Sequence, residues 1–183
     1  MNVLNSCFIL LAALIGVYLE STLNGFRRIF GAQIDVLPVL AVYAALRSGP
    51  VMLAILAVFG GLCLDSLSAN PLGVTIFPVF LAGFMIYIRR GLILQEQLYA
   101  QFVLGMAAGA FVPALTVLML LTTRQTPVLG WGSIWQWMLV TAMSGLLTPA
   151  CFWLFDRLDR ALTYHPTAQT SFREDREIAR GHK

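Results

Sequence analysis

Charge is scarce in this 183-residue chain: Asp, Glu, Lys and Arg together make up 11% of it, against about 25% in an ordinary soluble domain. Lysine is all but missing, with Lys183 standing alone at the end. Histidine is confined to His165 and His182, outside every hydrophobic run. The three cysteines, Cys7, Cys63 and Cys151, are far apart and each lies inside an apolar run. No CxxC and no Cys/His cluster occurs, which excludes a disulfide framework and a metal site; the cysteines are expected to be buried thiols acting as small apolar residues. There is also no Gly-rich phosphate loop, no GxSxG and no HExxH. With so few polar groups to converge on a substrate, no catalytic residues, cofactor or metal are expected, and the chain does not read as an enzyme. The net charge of +3 is not a nucleic-acid signal, because the arginines stand at the ends of hydrophobic runs rather than in a patch.

What the chain has is apolar length. Hydrophobic residues make up 58% of it and the mean hydropathy is +0.79, more apolar surface than a soluble fold of this size can hide. Lipid is therefore its main partner. Hydrophobic runs lie at about Leu4–Leu23, Ile34–Leu46, Pro50–Leu67, Leu72–Ile88, Phe102–Leu121 and Ile134–Phe155. Met1 to Glu20 has no Lys or Arg ahead of its run and no small-x-small site after it, so it reads as the first membrane helix rather than a cleaved signal. The second run is the short one: eleven uncharged residues separate Asp35 from Arg47, roughly 16 Å of helix. It crosses only if Phe30–Gln33 extends it or if neighbouring helices cover its ends. Six crossings with both ends cytoplasmic place nine basic residues inside and Arg27, Arg28 and Arg124 outside. Five crossings move Arg27 and Arg28 inward and give eleven against one. Both schemes place Arg89, Arg90 and the C-terminal tail in the cytoplasm and the Asp65–Gly73 turn outside.

The densest signal is GPVMLAILAVFGGLCLDSLSANPLG, Gly49 to Gly73. A hydrophobic helix carries Gly60 and Gly61 and ends on Asp65, followed by a turn through Pro71, Leu72 and Gly73. A charge costs ~2.5–3.5 kcal/mol at the bilayer centre and less towards the interface. Three readings of Asp65 follow: helix-end anchoring or an internal partner such as an arginine, a contact orienting a protein partner, or part of a solute site. Pro71 fixes φ and Gly73 permits positive φ, so Asn70–Gly73 reads as a turn on local chemistry alone. Gly105-x-x-x-Gly109 and Ala57-x-x-x-Gly61 allow close helix approach, within the bundle or with a partner helix. Trp131, Trp135 and Trp137 fit an interfacial aromatic belt. A bundle over 1–160 and a polar cytoplasmic tail over 161–183 are expected, the tail opening a short helix at the capping box Ser171-x-x-Glu174.

Several of these residues fall in one order that resembles the MreD family of bacterial rod shape-determining membrane proteins. They are the acid-then-proline opening Asp35 and Pro38, then Leu46-Arg47-Ser48-Gly49-Pro50, then Gly60-Gly61-Leu62-Cys63-Leu64-Asp65-Ser66-Leu67, then Pro71-Leu72-Gly73. The charged run Phe155-Asp156-Arg157-Leu158-Asp159-Arg160 after the last helix agrees as well. The resemblance implies an all-α, polytopic bundle of about six transmembrane helices in the inner membrane, similar to the substrate-capture subunits of energy-coupling-factor vitamin transporters. It also implies a non-enzymatic scaffold of the cell-elongation, peptidoglycan-synthesis machinery. Such a scaffold binds MreC and, through it, connects with MreB, a SEDS glycosyltransferase and a penicillin-binding transpeptidase. The likeness to vitamin transporters keeps a solute-capture subunit open as the alternative. On the scaffold reading Asp65, Gly60, Gly61, Pro71, Leu72 and Gly73 serve partner contact or structure, with Asp35 and Pro38 opening the second helix.

Overall fold

A computed structural model describes residues 3–22, 35–68, 71–92, 97–122 and 130–162. The Arg27-Arg28 pair, the Phe30–Gln33 extension, Asn70, Arg124 and the tail from 163, with its capping box, lie outside the described residues. Within them the chain is all helix, with no strand. The elements are α1 (Val3–Thr22), α2 (Leu37–Tyr43, continued by a π-helical turn Ala44–Ser48), α3 (Pro50–Leu67), α4 (Ile76–Arg89, continued by a 3-10 turn Arg90–Leu92), α5 (Leu98–Thr122) and α6 (Trp131–Leu162). Three of these, α3, α5 and α6 as far as Leu158, are long and apolar enough to cross a membrane. This is a helical membrane protein. That is fewer than the six expected: the apolar stretches Ser6–Thr22 of α1, Leu37–Ser48 of α2 with its π turn, and Ile76–Arg89 of α4 are shorter, although α1 as a whole runs 20 residues.

Helix α2 is the centre of the structure. All ten residues from Leu37 to Leu46 are buried, wrapped by α1, α3, α4, α5 and α6. A helix apolar on every side is stable only inside protein or lipid, and here protein surrounds it. The shortness of the second run thus has a physical answer: neighbouring helices cover it, which is the condition under which short or broken helices are tolerated at membrane depth. Its start is set by Asp35, whose Oδ1 accepts the Leu37 N–H at 3.0 Å. Pro38 occupies the first turn, where a missing N–H costs nothing. Its end is the π turn, closed by the Gly49 N–H donating to the Ala44 carbonyl at 3.0 Å. Gly49 then takes φ +103°, and Pro50 opens α3 in the opposite sense.

The ends of α2 and α6 are tied together. Tyr43 stacks on Phe155 (4.6 Å between centroids) and meets Phe152 edge-on (5.0 Å). Beyond this cluster the Arg47 guanidinium reaches Asp156 at 3.1 Å. Both partners are about one-third exposed, 38% and 34%, so the pair is a weak fastener. A double-mutant cycle with Arg47→Gln and Asp156→Asn should give a coupling under ~1 kcal/mol. A much larger coupling, read from thermal unfolding in detergent, would mean that the pair is shielded far better than its exposure indicates.

Helices α5 and α6 form the tightest hairpin. Gly105 and Gly109 face Ser144 and Thr148 of α6, and Gly145 faces Phe102 and Met106 of α5. Of the two roles open to Gly105-x-x-x-Gly109, the structure takes internal packing. The same holds for Ala57-x-x-x-Gly61, where both residues are buried within the bundle. Trp137 is more than a belt residue: its Nε1–H donates to the Ala110 carbonyl of α5 at 3.0 Å, one turn before Pro113 interrupts the ladder. Trp131 and Trp135 stay exposed. At 32 residues, α6 is ~48 Å long, well beyond a bilayer core of ~30 Å.

The cysteines depart from the expectation of burial. Cys63 and Cys151 are half-buried and Cys7 is exposed. Hydropathy does not separate a lipid-facing position from a core position, because both surroundings are apolar.

Candidate functional site

The segment that carries the motif folds into one closed unit at the end of α3. Asp65 lies in the last turn of α3 and is 1% exposed. Its Oδ2 accepts two backbone N–H groups, from Gly73 at 2.8 Å and Thr75 at 3.2 Å. Its Oδ1 accepts the Thr75 hydroxyl. Thr75 is the residue that precedes α4 and makes no side-chain cap of its own to that helix. The carboxylate therefore does from α3 what a capping side chain normally does locally: it takes an orphan donor at a helix start and sets negative charge against the positive end of the helix dipole. The Asp65 anchor is internal, as one of its three readings has it, but the partner is the head of α4 and not an arginine.

The turn between them is built as Pro71 and Gly73 suggest. The Val74 N–H donates to the Pro71 carbonyl at 3.3 Å, and Gly73 takes φ +93°. That φ is the left-handed region, in which a Cβ collides with the chain's own carbonyl. The space around Gly73 is otherwise open, with Ile76 Cδ1 4.0 Å from where a Cβ would stand. Gly73→Ala should therefore cost only conformational strain, ~1–2 kcal/mol. Thermal unfolding in detergent checks this, and an unchanged midpoint would mean that the turn relaxes to another form.

The two glycines of α3 have separate tasks. A Cβ on Gly60 would strike Leu37 Cδ1 of α2. A Cβ on Gly61 would lie 3.1 Å from both N and Cα of Ile76, which is backbone and cannot rotate away. Gly60 thus lets α3 close on the central helix, and Gly61 lets the head of α4 come near enough for Asp65 to reach it. Asp35 and Pro38 do not belong to this unit; they open α2 in the chain's core. Thr75 is the residue that sequence reasoning missed. It stands ten positions from Asp65, and the only signal for it is a small hydroxyl residue ahead of an apolar run, a common capping cue.

The large side chains that the unit exposes are apolar, beside the small hydroxyl of Ser66. Leu67 is 55% exposed and Leu72 is 70% exposed; Leu62, on the same helix, is exposed as well. Both oxygens of Asp65 are engaged by the chain's own donors. Chemically the arrangement can hold a shape and offer a hydrophobic surface. The one hydroxyl that it sets against a carboxylate, that of Thr75, is buried together with Asp65. Compared with known proteins, the chain matches no family model, no curated relative and no solved structure.

Proposed function

We propose that this chain is a non-enzymatic inner-membrane scaffold of the MreD type, which holds MreC for the cell-elongation machinery and so helps to maintain rod shape. The observation that carries the reading is the Asp65–Thr75 brace: the residues responsible for the resemblance, Gly61, Asp65, Pro71 and Gly73, all serve one turn whose exposed described residues are Ser66, Leu67 and Leu72. Asp65 orients the turn, and Leu67 and Leu72 make the contact. MreC links the scaffold onward to MreB, to a SEDS glycosyltransferase and to a penicillin-binding transpeptidase.

In this reading the bundle crosses the membrane six times. The Arg47–Asp156 contact supports an even number of crossings between the ends of α2 and α6, since it sets both ends at one face. Helices α3, α4, α5 and α6 supply four, so α4 crosses despite its 14 residues. The remaining two are α1 and the protein-covered α2. Arg47, Arg89, Arg90, Arg157 and Arg160 lie at the cytoplasmic face by the positive-inside rule, and the Asp65 turn lies outside.

Gentle purification of the tagged protein from its native membrane, followed by mass spectrometry of what accompanies it, tests the assignment. MreC and cell-wall synthases are the expected companions. Paired ATPases with a coupling subunit would instead make the chain a solute-capture component of a transporter.

A further inference from the structure

The described arginines are sorted by end. Asp65 closes α3 at one end of the bundle and Asp35 opens α2 away from its arginine terminus. Every described arginine is at the other: Arg47 on the π turn, Arg89 and Arg90 at the end of α4, Arg157 and Arg160 near the end of α6. The π turn links these ends, packing on α4 while Arg47 bonds to Asp156 of α6. Asp156, Asp159 and Glu96 are the acids that the sequence sets near these five arginines. The first of them is already engaged by Arg47.

The four remaining arginines are all exposed, and two of them are held in place. The Arg90 guanidinium lies over the Tyr87 ring, 4.4 Å from its centroid, at the end of a stacked row formed by Phe80, Phe84 and Tyr87. The Arg157 guanidinium lies over Trp153 at 5.2 Å, and Trp153 itself is exposed on α6. Arg160 is fixed differently, its Nε–H donating to the Asp156 carbonyl at 3.1 Å, which leaves its terminal N–H groups free of that bond. A guanidinium resting on a ring is oriented without using its N–H edge, and a planar edge of N–H donors fits a phosphate in bidentate fashion. An exposed ring beside the cation belongs at the level where acyl chain meets headgroup. Ring below and cation above therefore describe a lipid with a phosphate.

We propose that the arginine end of the bundle binds anionic phospholipid selectively. Arg89 with Arg90 on α4, and Arg157 with Arg160 on α6, contact headgroup phosphates, while Tyr87 and Trp153 lie against the upper acyl chains. This inference needs the protein to be in a membrane and does not rest on the scaffold reading.

The test uses the whole chain in mild detergent, exchanged against an equimolar mixture of phosphatidylglycerol and phosphatidylcholine and then washed, with retained lipid quantified by mass spectrometry. Phosphatidylglycerol should be retained in several-fold excess, and the excess should shrink as salt rises. R89Q/R90Q and R157Q/R160Q should each lower its retention by about fivefold or more while phosphatidylcholine stays constant. Equal retention of the two lipids by the unaltered protein overturns the proposal, with no variant needed. Unchanged retention in both double variants also overturns it, and leaves the guanidiniums to an acidic protein segment. Displacement of the lipid by an equal concentration of free glycerol phosphate overturns it as well, since the site would then be one for a soluble anion.

Discussion

Asp65→Ala should be the most damaging single substitution at the α3–α4 corner of the protein. It leaves the Gly73 and Thr75 N–H groups and the Thr75 hydroxyl without their acceptor, the Thr75 pair buried and the Gly73 N–H half-buried. A buried donor stripped of its partner costs ~1–3 kcal/mol. With three affected and some relaxation of the turn, a total of about 3–5 kcal/mol is expected. Asp65→Asn keeps one acceptor oxygen and should fall between alanine and the native residue. Thr75→Val removes the hydroxyl donor but keeps the backbone N–H, and should cost less than either. The ranking is read from thermal unfolding in detergent, together with the amount of protein accumulated in the membrane. If Asp65→Ala melts like the native protein, the carboxylate is not the brace of the α3–α4 corner, and its role would have to be contact with a partner.

Gly105→Leu should be as severe by the opposite mechanism. Even a methyl group there falls on Thr148 Oγ1 and within 2.6 Å of the Ser144 carbonyl oxygen, which is backbone. Overpacking a tight core costs ~1–3 kcal/mol when side chains can yield. Helix α6 must move as a body here, so Gly105→Ala should lie at the top of that range and Gly105→Leu beyond it. Thr148→Ala should restore only part of the loss in the Gly105→Ala background, because the Ser144 carbonyl stays in place. Full rescue would show that Thr148 alone sets the spacing of the hairpin.

The parts legible from sequence are those fixed by local chemistry. Pro50 and Leu67 bound α3 as read, because Gly49-Pro50 starts a helix and the turn after Leu67 stops it. Pro71 and Gly73 announce their turn through φ alone. Illegible were the facts that depend on direction. Hydropathy finds apolar helices but not the side each one turns inward, so nothing marked α2 as the wrapped centre or Cys7 as exposed. Pairings across long separations, Arg47 with Asp156 and Trp137 with Ala110, leave no trace in spacing. The partner of Asp65 was hidden for a different reason: an acid in a membrane helix suggests a cation, whereas backbone N–H groups at a helix start satisfy it equally well and carry no side-chain signature.

In the scaffold proposed above, the Asp65 turn braces the bundle and offers Leu67 and Leu72 to MreC. Placing a photo-crosslinking residue at Leu72, in cells expressing the full chain, tests it most directly. Leu72 is 70% exposed and accepts no hydrogen bond through its side chain, so the label leaves the brace intact. A covalent adduct with MreC is expected, and it should disappear when the label is moved to Leu118 on α5. Adducts with lipid alone at Leu72, alongside protein adducts elsewhere on the bundle, would contradict it.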